Sequence, residues 1–563
     1  MEYFDGSPLR HLGDLTAMGA QRYGDKTAVA LSTEERSFDS IDDRASRAAT
    51  VLRDHGVEPG DRVALYVPNT PGYVDAFFGA VKAGAVPLPL NLRMDTGRLA
   101  GICERAGADH LVGSPMLLGG METERVSLEG PLAVADAAGI ARRFVAGVDA
   151  EGCTDWSAAV DDAAPLPRSD RPERAFDDVV VHTYTSGTTG TPKGVPLTHE
   201  NVLSAIAALT TSGLSFDPDD AVVVVLPLFH VPTFTALLAA PLYEGATAVL
   251  QAMPDPEGLL RAVEQHGVTM LPGVPALHEM LLETYLEDPE SYDVSSLDAL
   301  SCAAAPLPED TAERATEAFG VGLAEGWGMT ETTTVAVHRP PGVYKPAGCV
   351  GKPVRGLDAR LVDPETDEVL ADEDGLDPRT GPAERHVAFG DGDALEGELV
   401  VRGPQVFEGY HDRPEATEMA FDGDWFHTGD VARVDRDGDL WIVDRVDDML
   451  IVGGENVYPA EVEEALHEHP DVGEAAVVAA PHEVKGEAPV AFVVPAEGAD
   501  TGDLDGESLR SFALERVPSY AHPRRVFAVE ELPHSATEKV QRHRLEDEAT
   551  ERIDGALGSS EKL

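Results

Sequence analysis

The sequence predicts an α/β fold: a large N-terminal domain of mostly parallel sheets covered by helices, and a small α+β domain at the C-terminus. Three observations predict it. The chain has 563 residues, too many for one compact core. From about residue 60, short apolar runs of strand length alternate with helical patterns. After about residue 445 the pattern changes, and a second unit begins.

The large domain is predicted from its order of strands and helices. Strands are expected at 62–67, 179–184, 221–226 and 297–303, with another ending near Leu271; helices are expected at 73–84, 199–210, 233–243, 257–266 and 274–286. This order implies a parallel sheet with helices on both faces, and loops at the carboxyl ends of such strands bind ligands. Residues 363–396 are acidic and poor in apolar residues, and we expect a surface insertion or long loop without function.

The small domain is predicted to begin after a hinge, which divides the chain into 1–446 and 447–563. Pro459 opens a helix that runs to about His469. Strands are expected at 475–480, 489–494 and 525–530, with a helix at 504–516. We expect the polar residues after about 548 to fray.

The charge balance argues against nucleic acid and anionic membranes as partners. The chain has 43 basic and 101 acidic residues, a formal net charge of −58, spread along the whole sequence. Such a chain repels nucleic acid and anionic membranes at low salt. A carboxylate-rich surface of this kind predicts adaptation to high salt, where screening weakens self-repulsion.

Cysteine usage and the N-terminus predict a cytoplasmic protein. Cys103, Cys153, Cys302 and Cys349 are isolated in sequence and form no metal-binding or disulfide pattern. Met1 begins neither a basic nor an apolar stretch, and no run of about 18 apolar residues occurs. We therefore expect no secretory signal and no membrane span.

The strongest single feature is a loop rich in glycine and hydroxyl groups. It comprises Tyr184, Thr185, Ser186, Gly187, Thr188, Thr189, Gly190, Thr191, Pro192, Lys193 and Gly194. Backbone N–H groups and a lysine in such a loop suit phosphate oxygens. The spacing is not that of a Walker loop. A polar surface turn is the structural alternative.

This loop resembles the phosphate loop of the adenylate-forming superfamily, which contains acyl-CoA synthetases, amino-acid adenylation domains and beetle luciferases. The chain repeats the pattern of that superfamily in order as far as Arg542, and its acyl-CoA synthetase or fatty-acid–CoA ligase branch fits best. The resemblance implies that Thr185 to Thr191 and Lys193 bind ATP, with Thr188 as a ligand of Mg²⁺.

A second motif, Gly326 to Thr332, resembles the second nucleotide motif, whose usual aromatic residue is tyrosine. The resemblance places Trp327 against adenine, with Gly328 and Met329 in the same nucleotide site. It places Thr330 at the α-phosphate and Glu331 on Mg²⁺, for which a carboxylate is a suitable hard ligand. A helix cap at Thr330 is the structural alternative.

Two further stretches resemble nucleotide contacts. Ala304, Ala305 and Pro306 match the segment whose backbone lines the adenine pocket. Asp430, at the end of Trp425 to Asp430, matches the ribose ligand, and its two oxygens suit two hydroxyl donors. Arg445 would be a second ribose contact. Each stretch alone is equally an ordinary turn.

The remaining matches concern the second half of a two-step reaction. Asp447 lies at the position of the domain hinge. Gly453, Gly454 and Glu455 match the small-domain loop that faces coenzyme A. Lys539 matches the catalytic lysine, although Glu538 replaces the glycine that normally precedes it. A glycine turn and a solvated linker are the structural alternatives for the hinge and the loop.

The resemblance implies an ATP-dependent acid–thiol ligase that forms an acyl-adenylate and then a thioester with coenzyme A. His230 would lie at the mouth of the acyl pocket, where amino-acid adenylation domains usually have aspartate. The predicted pocket segments, 229–234, 273–280 and 301–305, are largely apolar. We expect a medium- or long-chain fatty acid, and the chain is expected to be a monomer or homodimer.

Three alternatives stay open on the sequence alone. The acid can be an aryl acid, since an apolar pocket suits either class. The enzyme can be a free-standing adenylation enzyme that loads a separate carrier protein. Glu538 beside Lys539 also leaves room for an inactive nucleotide-binding sensor on the same scaffold.

Overall fold

The structure is a computed structural model of the whole chain. It describes residues 9–556 apart from 10, 33, 115–120, 124–125, 129, 149–151, 186–191, 253–254, 304, 306, 340–344, 365, 373–375, 377–393, 447, 453–454, 483–485, 497–500, 502–503, 519–520 and 535–539. Within these described ranges, every helix is too short or too polar to cross a membrane.

The first part of the chain alternates helices and strands. In order it contains α1 (Asp14–Tyr23), β1 (Thr27–Leu31), β2 (Glu34–Ser37), α2 (Phe38–Asp54), β3 (Arg62–Tyr66), α3 (Pro71–Lys82), β4 (Val86–Pro89), α4 (Thr96–Ala106), β5 (Ala108–Gly113), β6 (Met121–Thr123), β7 (Val126–Leu128), α5 (Pro131–Ala137), β8 (Arg142–Val145), β9 (Cys153–Asp155), α6 (Trp156–Asp162) and β10 (Val179–Thr185). Strands β4-β3-β5-β8-β9 form a five-stranded parallel sheet.

The central part contains the strands that lead to the predicted site. In order it contains β11 (Lys193–Thr198), α7 (His199–Thr211), β12 (Ala221–Val224), α8 (Val231–Thr233), a π-helix (Phe234–Ala239), α9 (Ala240–Glu244), β13 (Thr247–Leu250), α10 (Pro256–His266), β14 (Met270–Gly273), α11 (Pro275–Glu287), β15 (Ala299–Cys302), α12 (Glu309–Phe319) and β16 (Leu323–Gly328). Strands β1-β13-β12-β14-β15-β16 pair in parallel, as predicted.

The parallel strands continue into an antiparallel extension that the sequence did not predict. It contains a 3₁₀ turn (Thr330–Thr332), β17 (Val335–His338), β18 (Cys349–Pro353), β19 (Asp358–Val362), β20 (Val369–Ala371), β21 (Ala394–Arg402), α13 (Pro414–Ala420), β22 (Phe421–Asp422), β23 (Trp425–Asp435) and β24 (Leu440–Arg445). In the described residues the whole sheet has the order β2-β1-β13-β12-β14-β15-β16-β17-β18-β24-β23-β21-β19-β20, with β22 on β23.

The C-terminal part forms its own sheet. It contains β25 (Leu450–Val452), β26 (Glu455–Val457), α14 (Pro459–His467), β27 (Val472–His482), β28 (Gly486–Pro495), α15 (Gly506–Leu514), β29 (Arg525–Ala528) and α16 (Arg542–Ala556). The described strands pair in the order β26-β25-β28-β27, with β29 on β28. The α/β class with a smaller second domain is thus confirmed, whereas the boundary at 446/447 stays a prediction.

Buried apolar side chains explain these layers. The largest cluster lies among α1, α2, α3, α7 and the first strands of the long sheet, and includes Phe38, Phe77 and Phe234. A second cluster packs α10, α11 and α12 on the other face of the same sheet. Helices therefore cover both faces of the parallel strands, which leaves their carboxyl ends for polar groups.

Several local expectations need correction. Strand β10 pairs antiparallel with β11 in a separate two-stranded sheet, so β11 lies between the phosphate loop and α7. The segment 363–396 contains β20 and the beginning of β21, although most of it lies outside the described residues.

The expected fraying after residue 548 is wrong for residues 549–556, because α16 continues to Ala556; the residues beyond it lie outside the described ranges. Leu545 and Ala549 on this helix are buried against β27 and β28. Burial of this apolar face stabilises a helix whose sequence is otherwise polar. The helix was not predicted because the composition of this segment is mainly polar.

Candidate active site

The predicted ribose ligand, Asp430, is held by two side chains. The indole Nε1 of Trp327 donates a hydrogen bond to Oδ2 of Asp430 across 2.8 Å. Nη1 of Arg445 lies 3.2 Å from Oδ1, and Asp430 and Arg445 are directly opposite each other in the β23–β24 pair. The structure thus brings together three predicted nucleotide contacts from β16, β23 and β24.

The turn before Asp430 is fixed by Glu398 on β21. Oε1 of Glu398 accepts from the backbone N–H of Gly429 at 3.0 Å, and Oε2 pairs with Nδ1 of His427 at 2.9 Å. Gly429 has a φ of +71°, and a Cβ there would lie 2.9 Å from Nη2 of Arg445. Glycine is therefore required for Arg445 to approach this turn.

The predicted metal ligand, Glu331, is buried in the 3₁₀ turn after β16, with 5% of its surface exposed. The hydroxyl of Tyr410 donates to its Oε1 at 3.0 Å. Burial raises the pKa of the Glu331 carboxyl, and the Tyr410 hydrogen bond and the charges of Lys193 and Arg445 offset this effect. A buried oxygen ligand of this kind fits Mg²⁺, which binds carboxylates and phosphate oxygens.

The phosphate-loop lysine, Lys193, lies close to the same tyrosine. Thr185 and Lys193 are opposite each other at the open end of the β10–β11 pair. Nζ of Lys193 is 4.7 Å from the centre of the Tyr410 ring. The loop between these strands lies outside the described residues, and with it Ser186, Gly187, Thr188, Thr189, Gly190 and Thr191.

One segment of the chain connects the two motifs. The N–H of Phe407 donates to the carbonyl of Glu331 at 2.8 Å, and the N–H of His411 donates to the carbonyl of Gly194 at 2.9 Å. Tyr410 lies between these two anchors. The segment 407–411, hereafter the bridging segment, therefore sets the spacing between the lysine and the carboxylate.

The bridging segment is itself tied to α7. Thr198 and Asn201 form a capping box at the beginning of this helix. The side-chain amide of Asn201 also donates to the carbonyls of Pro404 and Val406 at 2.9 and 3.0 Å. The start of α7 thus fixes both the end of β11 and the entry to the bridging segment.

The other residues of the second motif surround Glu331. Thr330 is half-buried and its carbonyl accepts from the N–H of Thr333 at 2.9 Å. The N–H of Met329 donates to Oγ1 of Thr332 at 3.0 Å. A Cβ on Gly328 would lie 2.1 Å from the carbonyl oxygen of Thr334, so only glycine fits there.

His230 lies at the end of a loop that is rigidly held. The side chain of Asn69 donates to the carbonyls of Val224 and Leu226 and accepts from the N–H of Leu228. The half-buried imidazole of His230 packs on Phe229, with 4.6 Å between the ring centres. His230 therefore lies at the N-terminus of α8, beyond the carboxyl end of β12.

The segment expected to line adenine is only partly described. Ala303 follows β15 and its N–H donates to the carbonyl of Gly273 at 3.3 Å. Ala305 is exposed, whereas Ala304 and Pro306 lie outside the described residues. Their predicted role stays a prediction.

The predicted second-step residues also lie mostly outside the described ranges. Asp447, Gly453, Gly454 and Lys539 are not described, and of Glu455 only the backbone in β26 is described. Next to the hinge position, the N–H of Val446 donates to the carbonyl of Gly429 at 2.8 Å. The chain thus leaves the large sheet directly beside the candidate ribose ligand.

Lys539 lies outside the described residues, but residues on either side of it make defined contacts. His534 and Val540 form an isolated antiparallel bridge. The guanidinium of Arg542 pairs with both oxygens of Glu463 and donates to the carbonyl of Val477 at 2.7 Å. Nε of Arg542 is 3.5 Å from Oδ2 of Asp448. Arg542, at the start of α16, therefore links this helix to α14 and to Asp448, the residue that follows the hinge position.

Sequence reasoning missed two residues of this arrangement, Tyr410 and Glu398. Both lie on the antiparallel extension, which was not predicted, and both act through contacts with distant segments. Tyr410 follows Gly409, but a glycine–tyrosine pair has no distinct chemical signal. Glu398 lies in the strand next to Asp430, and only the strand pairing reveals its contact with Gly429.

The sequence is similar to known AMP-binding enzymes and CoA ligases. Residues 17–411 match the family model described as AMP-binding enzyme, and residues 461–539 match that described as AMP-binding enzyme C-terminal domain. The chain is 36% identical to a feruloyl-CoA synthase from Amycolatopsis sp, over 94% of the chain and 97% of that protein. It is 30% identical to a long-chain-fatty-acid–CoA ligase from Bacillus subtilis, over 97% of the chain and 95% of that protein.

A solved structure of a CoA ligase has the same fold. The anthranilate CoA ligase AuaEII in complex with anthranoyl-AMP aligns with a TM-score of 0.83 and 26% identity, over 98% of this chain and all of that one. The likeness extends across both parts of the chain.

Proposed function

The chain belongs to the AMP-binding enzyme family as an AMP-forming acid–thiol ligase that uses ATP, Mg²⁺ and coenzyme A, and we propose that it activates an apolar carboxylic acid. The acid that the predicted pocket favours is a medium- or long-chain fatty acid. The single observation that supports the ATP half is the convergence of Trp327, Arg445 and Asp430 at hydrogen-bonding distance.

In the first step the substrate carboxylate attacks the α-phosphorus of ATP, and the bond to pyrophosphate breaks. Asp430 and Arg445 would hold the ribose, and Trp327 would lie against the base. Lys193 would pair with phosphate oxygens at the end of β11. Negative charge grows on the phosphoryl oxygens, so positive groups fixed in a dry site lower the barrier.

The carboxylate of Glu331 would hold Mg²⁺, together with Thr188 of the phosphate loop. The bound ion would neutralise charge on the phosphates. The hydroxyl of Tyr410 donates to Oε1 of Glu331 and not to Oε2. The lone pairs of Oε2 are therefore not used by this hydrogen bond. The orientation of Glu331 is thus set before the ion binds.

Lys539 would orient the acid and stabilise the first transition state. In the second step the small domain would turn about Asp447, which removes Lys539 and brings Gly453 to Glu455 to the site. The thiol of coenzyme A then attacks the acyl carbon and AMP leaves. One site would in this way serve two reactions through a domain rotation.

The apolar acid is supported by the wall of the predicted acyl pocket. Phe229 is buried and packs against His230 at the predicted mouth of the pocket, whereas Val231 and Phe234, farther along the segment, belong to the large core cluster. Met280 on α11 exposes 46% of its surface, one of the largest exposures of a big apolar side chain among the described residues. Apolar walls of this kind bind acids through their hydrocarbon part.

An aryl acid is the second candidate. The feruloyl-CoA synthase relative has higher identity, 36%, than the fatty-acid ligase relative, 30%. Conjugated acids with a planar ring suit the same apolar wall. A free-standing adenylation enzyme is the third candidate. It differs from a CoA ligase only in the thiol that receives the acyl group, which belongs to a carrier protein.

A substrate panel decides among these candidates. AMP release is measured with fatty acids of increasing length, with benzoate, cinnamate and ferulate, and with malonate as a polar control, in high salt. A maximum at a fatty acid supports the first proposal and a maximum at ferulate supports the second. Activity confined to malonate, or none with any acid, refutes both.

Omitting coenzyme A separates a ligase from a carrier-loading enzyme. The proposed enzyme shows acid-dependent exchange of pyrophosphate into ATP without coenzyme A, and forms acyl-CoA once it is added. Exchange without any thioester from coenzyme A contradicts the second step.

We place the protein in the cytoplasm of a salt-adapted cell. Its co-substrates ATP and coenzyme A are intracellular metabolites, and none of its four cysteines forms a disulfide. The charge of −58 supports the salt adaptation. Fractionation of the source cells tests the location.

A further inference from the structure

The contact between Trp327 and Asp430 has a direct consequence for nucleotide recognition. Both side chains are buried, each with 8% of its surface exposed. The indole N–H is the single polar group of a tryptophan side chain and can only donate a hydrogen bond. In Trp327 it donates to the carboxylate of Asp430. We propose that Trp327 is a positioning residue that orients Asp430 for the hydroxyl groups of ribose.

The backbone of Asp430 is already fixed by other contacts. Its N–H donates to Oγ1 of Thr428 at 3.1 Å, and that hydroxyl donates to the carbonyl of Leu399 at 2.6 Å. These backbone contacts do not fix the side-chain torsion angles that orient the carboxylate of Asp430. Arg445 holds Oδ1 and Trp327 holds Oδ2, so the two contacts together determine the plane of the group.

A carboxylate held in one plane presents its remaining lone pairs in fixed directions. Two neighbouring ribose hydroxyls need two acceptors at a set spacing, and a preoriented carboxylate supplies them without loss of rotational freedom on binding. A phenylalanine at 327 keeps a ring against the base but has no donor. Oδ2 would then lose the indole donor that orients it.

The inference rests on the proposed ATP half and predicts a specific thermodynamic pattern. In Trp327→Phe the affinity for AMP falls about tenfold, as expected for a lost hydrogen bond to a charged group. The affinities for 2′-deoxyAMP and 3′-deoxyAMP fall by a smaller factor, because each lacks one of the bonds that the oriented carboxylate makes. The preference for AMP over both analogues therefore narrows.

Isothermal titration of the full-length protein with AMP and the two deoxy analogues tests this pattern. Trp156→Phe is the matched control: Trp156 on α6 is also buried, at 4% exposure, but it packs against Phe144 of β8, away from these contacts. It is expected to leave all three affinities unchanged. A loss in Trp327→Phe by one common factor for AMP and both analogues overturns the proposal, since that is the signature of lost packing alone.

A second measurement applies if Trp327→Phe does not fold. The protein has four tryptophans, so the indole N–H signals of the ¹⁵N-labelled protein can be assigned from Phe variants of the other three, Trp156, Trp425 and Trp441. In Asp430→Ala the Trp327 indole proton is expected to move upfield and to exchange faster with solvent. An unchanged signal overturns the proposal.

The failure of this inference is distinct from failure of the proposed function. If wild-type protein binds AMP and releases AMP from ATP with an acid, the function stands whatever the ratio shows. If the wild-type protein binds no AMP, both are overturned.

Discussion

The hydroxyl of Tyr410 donates a hydrogen bond to Oε1 of Glu331 across 3.0 Å, while the ammonium of Lys193 lies 4.7 Å from the centre of the same ring. One tyrosine thus contacts two groups of opposite charge from two separate motifs. A cation over an aromatic face is attracted by the ring, and the hydroxyl stabilises the ionised carboxylate. Tyr410 therefore sets the relative position of the groups that would meet the triphosphate and its metal ion.

The first prediction concerns Tyr410→Phe. Removing the hydroxyl leaves a buried carboxylate with one hydrogen bond fewer, which costs about 1–2 kcal/mol and thus about tenfold in rate. We expect the rate of adenylate formation to fall by about this factor and the Mg²⁺ concentration for half-maximal rate to rise. The KM for the acid is expected to stay constant.

Tyr23→Phe is the control for this substitution. Tyr23 also donates a hydrogen bond through its hydroxyl, to the carbonyl of Glu244 at 2.8 Å, but on α1. A change of the Mg²⁺ dependence in both variants, or in neither, contradicts the role of Tyr410. Binding of Mn²⁺·ATP followed by electron paramagnetic resonance provides a readout other than activity.

The second prediction concerns Gly194 beside the phosphate loop. A Cβ at this position would lie 2.7 Å from Nε2 of His182, 3.1 Å from Cβ of His411 and 3.1 Å from the Tyr184 ring. His182 is fully buried, and burial lowers its pKa to about 3, so the imidazole is neutral. We expect Gly194→Ala to lower the free energy of unfolding by about 1–3 kcal/mol through overpacking.

The double variant Gly194→Ala with His182→Ala tests this cause. Truncating His182 removes the nearest contact, so the loss caused by alanine at 194 should be smaller in the His182→Ala background. Gly322→Ala is the control, because a Cβ there meets nothing within 4 Å and φ is not positive. Equal losses in both backgrounds, measured by chemical unfolding, would refute the proposed clash.

Much of the fold was accessible from sequence because parallel strands and their helices have periodic apolar patterns. The runs at 221–224 and 299–302 lie in the parallel sheet as expected. The antiparallel strands between 335 and 445 escaped prediction, because charged residues and glycines interrupt their apolar runs, which lie among turns and motifs. On β23, for example, Gly429 and the buried carboxylate of Asp430 interrupt the apolar pattern in the middle of the strand.

The candidate site could also be predicted only in part. Trp327, Glu331, Asp430 and Arg445 were identified from local motifs, and the structure places them within one region. Their mutual contacts could not be predicted, because strand pairing and the bridging segment bring together residues that lie about a hundred positions apart. The indole–carboxylate bond, for instance, joins residues separated by 103 positions.

The third prediction separates the two half-reactions. Lys539→Ala is expected to abolish acyl-adenylate formation but to spare thioester formation from supplied acyl-adenylate. In the proposed mechanism its ammonium would act on charge that develops only in the first transition state. Equal loss of both half-reactions in single-turnover assays would disprove this assignment of Lys539.

The fourth prediction concerns the hinge. Proline fixes φ and would limit the rotation of the small domain that the proposed mechanism requires. Asp447→Pro is therefore expected to keep adenylate formation and to lose thioester formation. The control is Asp448→Asn, which alters the neighbouring carboxylate near Arg542 without restricting the backbone. Intact thioester formation in the proline variant would count against a hinge at 447.

The fifth prediction concerns the buried carboxyl of Glu325 and pH. Burial raises its pKa to about 7, although its Oε2 accepts from the N–H of Gly348 at 2.9 Å and lies 3.8 Å from Arg339. In the unfolded chain the pKa is near 4.5. Between these two values the folded state binds more protons than the unfolded state, so this group lowers stability as pH rises from about 4.5 to about 7.

Glu325→Gln removes the titration but keeps an oxygen that accepts from Gly348. At pH 5 the wild-type carboxyl is protonated when folded, so the variant and wild type should have similar stability. At pH 8 the wild type must bury a charge, and the variant should be more stable by about 1–3 kcal/mol. Chemical unfolding at both pH values measures this difference. A gap between variant and wild type that does not widen with pH would show that Arg339 neutralises the carboxylate fully, and that the buried charge has no net cost.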